Sequence, residues 1–279
     1  MLPEKNSRRM ISNLQKDDWI IFLDWAKKEN WHIPKQELQL YQGPLSDSAF
    51  VLREGRQPLG FVTIARHERS GWIGNLIVHP LYRRQGLGKQ LLEHALQTLG
   101  ERGARTFWLT ASHAGQSLYN RYGFAQVDKI ERWTHSGPFG MTIENIPTEN
   151  HDMLFRQDAE AWGESRFWLL AHLSQKGRIL SSGQTVALLQ EGSSRHMVGP
   201  WLTAENCPQE NRLVLNQLMA LVSRDSEVVI DILGSSPVKT LIAAAGFGKA
   251  GETGLMARGP RTGFRKEKLV ALASLGSMG

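Results

Sequence analysis

Residues 78–89 read VHPLYRRQGLGK, in which a strand pattern gives way to a glycine-bearing turn and then to a helix pattern. The strand predicted at 72–79 must stop at Pro80, because proline lacks the N–H that a central strand needs. The apolar positions of 88–99 recur at helical spacing, which predicts a helix that follows the turn directly. Its first N–H groups and its dipole would attract an anion. We therefore expect this turn to bind phosphates.

The segments on either side of the turn alternate between strand and helix patterns. In chain order the sequence predicts a helix at 17–29, strands at 49–53 and 59–65, a strand at 106–111, a short helix at 115–121 and a strand at 125–133. Glycine and proline then break both periodicities between about 134 and 150. This break predicts a domain boundary, with a first domain at 1–137 and a second at 148–279.

The second half repeats the first in outline. Its landmarks are VGP at 198–200 after VHP at 78–80, a helix at 213–222, a strand at 228–233, and LIAAAGF at 241–247 after LYNRYGF at 118–124. A repeat of this length predicts two related α/β (α+β) domains. For the basic and apolar tail at 261–275, a closing strand is favoured over a surface-binding helix.

Composition narrows the class of protein. The chain has 279 residues, a formal net charge of +6 and one cysteine, Cys207, so an internal disulfide and a thiolate cluster are excluded. No metal site is expected. No apolar run approaches the roughly 20 residues that a membrane span needs, and no secretory signal is recognisable, so we expect a cytoplasmic protein with no membrane partner. The positive charge suits nucleic acid or a small polyanion, but no nucleic-acid-binding motif accompanies it, which makes nucleic acid the weaker interpretation.

Other phosphate-binding turns fit the sequence poorly. The pattern GxxxxGK[ST] is absent, and a GxGxxG turn at 86 would need glycine where Leu91 stands. A second glycine set does match GxGxxG at Gly246, Gly248 and Gly251, but it follows a predicted helix at 238–245 instead of a strand. Gly246 is therefore interpreted as the residue that ends that helix.

V-x-P followed by RxxGxG and a helix resembles the pyrophosphate-binding motif of the GNAT superfamily of N-acetyltransferases, and LYNRYGF at 118–124 resembles its later LYxxxGF motif. The resemblance covers about 10–135, and the second half is similar to the degenerate GNAT-like domain of some tandem members. It implies that each domain is a mixed, mostly antiparallel sheet flanked by helices. It also implies acetyl-CoA as acyl donor and an amine-bearing acceptor as partner.

The resemblance carries residue roles onto this chain. The strand end that would hydrogen-bond the pantetheine arm comprises Leu76, Ile77 and Val78. The turn that would bind the pyrophosphate comprises Arg83, Arg84, Gln85, Gly86, Leu87, Gly88 and Lys89. Ser112 stands where family members often have an asparagine that contacts CoA, and Tyr119 stands where many have the tyrosine that protonates the CoA thiolate. Tyr119 could instead be a packing residue.

The general base has no candidate among the motif residues. The strand before V-x-P offers Asn75, whose amide cannot accept a proton at neutral pH, so we expect a water-mediated path or a base supplied from elsewhere. His113 is a lesser candidate, because an exposed loop histidine is usually just solvated. Trp25 and Trp31 are equally suited to line an acceptor pocket or to form core.

The second half lacks the features that bind CoA. Residues 201–209 contain no glycine, and Ile242, at the position of Tyr119, cannot donate a proton. One CoA site per chain is expected. Two alternatives remain open at this point, a non-catalytic protein that senses acyl-CoA and a basic protein that binds nucleic acid, and a homodimer is possible.

Overall fold

The computed structural model describes residues 9–137, 149–222 and 225–279. In the first half the elements are β1 (Arg9–Asn13), α1 (Lys16–Lys28), α2 (Lys35–Gln42), β2 (Ala49–Glu54), β3 (Gln57–Arg66), β4 (Ser70–Val78), α3 (Leu87–Glu101), β5 (Thr106–Ala111), α4 (Gln116–Arg121) and β6 (Ala125–Ser136). In the second half they are α5 (His151–Trp162), α6 (Phe167–Ser174), β7 (Gly177–Ser182), β8 (Thr185–Gln190), β9 (Arg195–Thr203), α7 (Pro208–Leu221), β10 (Glu227–Leu233), α8 (Val238–Ala244), β11 (Gly248–Arg258) and β12 (Leu269–Ala271).

Both halves run through the same order of elements. From α1 to β6 and again from α5 to β11, two helices precede three strands, and a helix, a strand, a helix and a strand follow. The repeat predicted from the sequence is thus present in the secondary structure, and the mixed α/β class is confirmed. The first half also contains two elements that the periodicity analysis did not predict, β1 and the polar helix α2.

The described chain forms two compact units. Unit 1 comprises 9–109 together with 276–278, and unit 2 comprises 110–275 together with Gly279. The division falls after Leu109, inside β5. The predicted boundary between 137 and 148 lies almost entirely outside the described residues, so the domain ranges 1–137 and 148–279 stay a prediction.

The sheet of unit 1 has the order β1-β2-β3-β4-β5. Neighbouring strands are antiparallel except β4 and β5, which are parallel. Helix α3 covers one face and buries Leu91, Leu92, Ala95 and Leu99 of its predicted apolar stripe, whereas Leu96 is only partly buried. Helix α1 packs on the other face, where Trp25 meets Phe61 edge to face with ring centroids 5.0 Å apart. Trp25 is therefore part of the core, whereas Trp31 is exposed.

The start and end of two predicted helices follow from local chemistry. Helix α1 begins with a capping box in which Gln15 N–H donates to the Asp18 carboxylate at 2.7 Å. Asp18 also pairs with Arg53 on β2, which ties the helix to the sheet. Helix α3 runs through Gly100 and stops at Glu101. Gly103 then adopts φ 84° and turns the chain.

The sheet of unit 2 has the order β11-β6-β10-β12-β9-β8-β7, with β10 and β9 paired in parallel and the other pairs antiparallel. Its core includes Trp201, Leu215, Ile230 and Ile242. Arg166 lies between α5 and α6, where it forms a fully buried ion pair with Asp158.

The predicted closing strand of the tail is much shorter than 261–275. It covers only Leu269–Ala271, and a 3₁₀ turn at Lys266–Lys268 precedes it. The residues beyond Ala271 are nonetheless buried almost throughout. In the described parts of the chain, every helix is too short or too polar to cross a membrane.

Candidate functional site

The turn after β4 has a left-handed backbone at two residues. Arg84 adopts φ 64° and Gly86 adopts φ 80°, and Gly86 is the N-cap of α3. A methyl group at Gly86 would meet nothing within 4 Å. Glycine is therefore favoured here by the backbone conformation and not by lack of space. Among the described residues no side chain caps this helix end and its first turn holds no acidic residue, so its N–H groups can receive an anion.

The basic side chains of the turn have different surroundings. Arg83 Nε donates to the carbonyl oxygen of Val78 at 3.0 Å, and its guanidinium also pairs with Glu29. Lys89 Nζ lies 3.8 Å from Glu93 Oε1. Arg84 is exposed and has no hydrogen-bond or ion-pair partner within the described chain. Arg83 thus braces the end of β4, whereas Arg84 and Lys89 extend into solvent beside the helix N-terminus.

Strand β4 extends further than its parallel neighbour, β5. The register with β5 pairs Ser70 with Thr106 and ends where Trp72 pairs with Trp108. On its other edge, β4 stays paired with β3 as far as Val78, which lies opposite Gly60. The predicted pantetheine residues Leu76, Ile77 and Val78 are in the part of β4 that extends beyond the β5 ladder and leads directly into the turn.

A buried carboxylate lies beside an irregularity in β4. Asn75 adopts φ 51°, at the point where the β3–β4 register shifts between Phe61 and Thr63. Its Nδ2 donates to Glu37 Oε1 at 2.9 Å and to Thr63 Oγ1 at 3.1 Å. Glu37, on α2, is only 3% exposed. Burial raises the pKa of Glu37, and hydrogen bonds from Asn75 and Ser277 oppose that rise.

Residues 276–278 lie against β4 in unit 1, on the side that Glu37 approaches. Trp72 Nε1 donates to the carbonyl oxygen of Gly276 at 3.0 Å. His67 Nε2 lies 3.0 Å from the carbonyl oxygen of Met278 and must carry the proton, because a carbonyl can only accept. A methyl group at Gly74 would lie 2.6 Å from the Ser277 oxygen and 2.7 Å from its Cα, so the two main chains pack directly against each other.

Tyr119 and Ser112 belong to unit 2, where they approach each other across Gly115. A methyl group at Gly115 would lie 3.2 Å from Tyr119 Cε2 and 3.5 Å from Ser112 Oγ. Tyr119 packs edge to face on Phe124 and is 8% exposed, and burial raises the pKa of its phenol to about 12. His113 is exposed. The structure therefore gives Tyr119 a partly structural role in addition to any chemical one.

The corresponding turn of the second half differs in chemistry. Strand β9 continues through Pro200 to Thr203, and α7 begins at Pro208 after the N-cap Cys207. Pro208 has no N–H, and Glu210 places a carboxylate in the first helical turn, where it accepts hydrogen bonds from Gln184 N and Thr185 Oγ1. Both features disfavour a bound phosphate.

No metal centre is formed by the residues that the structure describes, since no three His, Cys, Asp or Glu side chains come together in a way that could hold an ion. The chemistry of unit 1 rests instead on backbone N–H groups at the α3 N-terminus, the strand end at 76–78, and the buried Glu37. A strand, a left-handed turn and a helix in this order form an arrangement that suits an anionic ligand held by main-chain N–H groups.

Comparisons with known proteins identify the class. Residues 46–126 match the family model described as "Acetyltransferase (GNAT) domain". The chain is 30% identical over 105 residues to the [ribosomal protein bS18]-alanine N-acetyltransferase of Escherichia coli strain K12, covering 33% of this chain and 71% of that protein. It is 42% identical over 111 residues to the protein of the same name from Salmonella typhimurium, covering 35% and 73%.

Solved structures agree over a longer stretch. A putative acetyltransferase from Pyrococcus horikoshii has a TM-score of 0.81 at 19% identity, with 99% of each chain covered. A GCN5-related N-acetyltransferase from Sphaerobacter thermophilus has a TM-score of 0.67 at 16% identity, with 94% of this chain and 98% of that chain covered. At these identities the likeness establishes the fold alone.

The chain belongs to the GNAT family of N-acetyltransferases. It is an acetyl-CoA-dependent N-acyltransferase of that family, with the family motif between β2 and β6. The resemblance seen in the sequence is therefore confirmed.

Proposed function

We propose that this protein transfers the acetyl group of acetyl-CoA to the α-amino group of a peptide, by direct attack of the amine on the thioester carbonyl. The observation that carries the proposal is the continuous run from β4 through the left-handed turn at Gly86 into α3. That run combines a strand with an unshared edge and a helix N-terminus free of acidic residues. Together they suit a ligand that has an amide-containing arm and a pyrophosphate.

The main chain would make most of the contacts to acetyl-CoA. The N–H groups between Gln85 and Lys89 would donate to the pyrophosphate oxygens, and Arg84 and Lys89 would add charge-assisted contacts. Leu76, Ile77 and Val78 would hydrogen-bond the pantetheine amides. Ser112 could add a hydroxyl contact. Arg83 would act indirectly, because its guanidinium already bridges the Val78 carbonyl and Glu29.

Glu37 is the proposed proton acceptor for the attacking amine. The acceptor ammonium first loses one proton to solvent, which frees the nitrogen to attack, and a second proton leaves nitrogen as the amide forms. A carboxylate with a raised pKa is a better base for that second proton near neutrality than an ordinary one. In the transfer, the amine nitrogen forms a C–N bond to the acetyl carbon, the C–S bond breaks to release the CoA thiolate, and the second proton passes from nitrogen to Glu37. Asn75 would position Glu37 through its 2.9 Å hydrogen bond.

Tyr119 is the proposed proton donor to the departing CoA thiolate. With a pKa of about 12 the phenol stays protonated at neutral pH. Taking an ordinary thiol pKa of about 8.5, complete proton transfer would cost about 5 kcal/mol. The phenol would therefore stabilise the thiolate mainly by donating a hydrogen bond. Complete transfer of its proton to the thiolate would occur only as the phenolate oxygen receives another proton.

The peptide acceptor is proposed from the relatives. The proteins from Escherichia coli and Salmonella typhimurium are named as alanine N-acetyltransferases of a ribosomal protein, and the chain matches over 70% of the length of each. Both that reaction and the proposed one acylate an amine that belongs to a polypeptide. This observation favours a peptide over a small diamine or a sugar.

The test is release of free CoA thiol from acetyl-CoA in the presence of alanine-initiated peptides. We expect thiol release with a peptide that has a free α-amino group and none with the same peptide acetylated in advance. Gly86→Glu should abolish release, whereas Gly103→Glu, at a left-handed glycine on the opposite end of α3, should retain it. Stabilisation by acetyl-CoA without thiol release from any amine would favour the sensing alternative.

A further inference from the structure

The main chain of residues 276–278 is held by side chains of unit 1 in the manner of a bound peptide. Two of its carbonyl oxygens accept hydrogen bonds from ring N–H groups, Gly276 from Trp72 and Met278 from His67. Between them, the Ser277 hydroxyl faces the Glu37 carboxylate and lowers its pKa. The donors are the rings of His67 and Trp72 and the acceptors are main-chain oxygens, so these two hydrogen bonds depend little on the sequence of the occupant.

The position of this segment coincides with the site proposed for the reaction. Trp72 and Gly74 are two residues apart on β4 and therefore point to the same face of the sheet. That face is opposite to α3, since a methyl group at Gly71, which precedes Trp72 and lies on the alternate face, would meet Leu99 of α3. Glu37 approaches the same part of β4 through Asn75. Residues 276–278 thus cover the carboxylate that an acceptor amine would need to reach.

The chemistry of this face selects for a peptide. Indole and imidazole N–H groups need acceptors, which a peptide main chain supplies at every residue and which a polyamine lacks. The close packing of Ser277 on Gly74 also suits a main chain, because the nearest contacts of a methyl group at Gly74 would all be backbone atoms. Burial of Ser277 and Met278, at 3% and 0% exposure, indicates a well-fitted occupant.

We propose that His67, Trp72, Gly74 and Glu37 form a groove that binds the main chain of a peptide acceptor, and that residues 276–278 occupy this groove in cis. The acceptor and the segment then exclude each other, and the acceptor amine takes the place of the Ser277 hydroxyl at Glu37. This inference rests on the proposed function for the role of Glu37. The binding property of the groove can be tested without any turnover.

The experiment measures binding of a fluorescein-labelled peptide of sequence ASLGSMG, which is residues 273–279, by fluorescence anisotropy. Ser277→Arg puts a long charged side chain at a position that is 3% exposed, so it should expel the segment of the protein itself and open the groove. We expect the labelled peptide to bind Ser277→Arg at least tenfold more tightly than it binds the wild type. Adding Gly74→Ala should remove that gain, because the new methyl group would lie 2.7 Å from the Cα of the occupant.

Two controls keep the outcomes separate. Each variant must still unfold cooperatively and keep its stabilisation by acetyl-CoA. If Ser277→Arg does not fold, Ser277→Ala takes its place, because it removes only the hydroxyl and should still strengthen peptide binding. A folded variant that binds the labelled peptide no better than the wild type overturns the groove, and so does tight binding that survives Gly74→Ala. Failure of the proposed function would be seen in other measurements, because the wild-type protein would then release no thiol or would not be stabilised by acetyl-CoA.

Discussion

Gly86→Glu is expected to abolish acetyl-CoA binding at a modest cost in stability, and Gly103→Glu is its matched control. The two glycines flank α3 and have nearly the same backbone conformation, φ 80° and φ 84°. A Cβ at Gly86 would meet nothing within 4 Å, and a Cβ at Gly103 would meet only a guanidinium nitrogen of Arg66 at 3.7 Å. Both substitutions therefore act mainly by forcing a non-glycine residue into a left-handed conformation, which costs about 1–2 kcal/mol.

The ligand separates the two variants. Acetyl-CoA at about one hundred times its Kd should raise the unfolding free energy of the wild type by about 2.7 kcal/mol. At about 2–4 °C per kcal/mol for chains of comparable size, the unfolding midpoint should rise by about 5–10 °C. Gly103→Glu should show the same rise from a lower starting midpoint. Gly86→Glu should show none, because its carboxylate would stand beside the phosphates at the helix N-terminus.

Thermal unfolding of the three proteins, with and without acetyl-CoA, gives the answer, and calorimetric titration checks the affinities directly. If Gly86→Glu keeps the full rise, the turn at the start of α3 is not where acetyl-CoA binds. If Gly103→Glu loses the rise as well, the effect at Gly86 reflects general damage to α3.

Three further substitutions, one of them with a matched control, test other parts of the structure. Glu37→Gln should lower kcat about a hundredfold and remove the acidic limb of the pH–rate profile. Because burial raises the pKa of Glu37, the wild type should also lose stability relative to this variant as the pH rises above the ordinary carboxyl pKa. Unfolding of both proteins at pH 4 and pH 8 would show this loss. Tyr119→Phe should lower kcat about a hundredfold with the KM for acetyl-CoA little changed, and an unchanged kcat would leave the ring a packing role only. Asp158→Asn should cost about 3–5 kcal/mol of unfolding free energy by leaving Arg166 buried without its partner, whereas Glu160→Gln, at a more exposed pair, should cost less than about 1 kcal/mol.

The elements that the sequence predicted well are those whose buried side chains are apolar. Helix α3 was predicted from its stripe of leucines, and strand β5 was predicted at its observed bounds, 106–111. Helix α2 was missed because its buried face includes Gln36 and Glu37 beside Leu40 and Tyr41. A search for apolar periodicity does not detect a helix such as α2, whose buried face carries polar side chains.

The part of the candidate site that is a glycine turn between a strand and a helix could be predicted from the local sequence. The part that depends on contacts between residues far apart in the sequence could not. The left-handed turn at Gly86 follows from its local sequence. The meeting of Glu37 with Asn75 does not, since 38 residues separate them and no motif links them. A helical segment that begins after Pro34 and carries a carboxylate was the one available signal.

The contacts of residues 276–278 also have a consequence for biosynthesis. The hydrogen bonds of Trp72 and His67 to this segment span 204 and 211 residues of sequence. At a synthesis rate of about 5–20 residues per second, their partners emerge about 10–40 s after these side chains do. For that interval the indole of β4 and the imidazole of the turn before it lack their native partners, so a chaperone or the emerging chain itself can bind there before the native segment arrives.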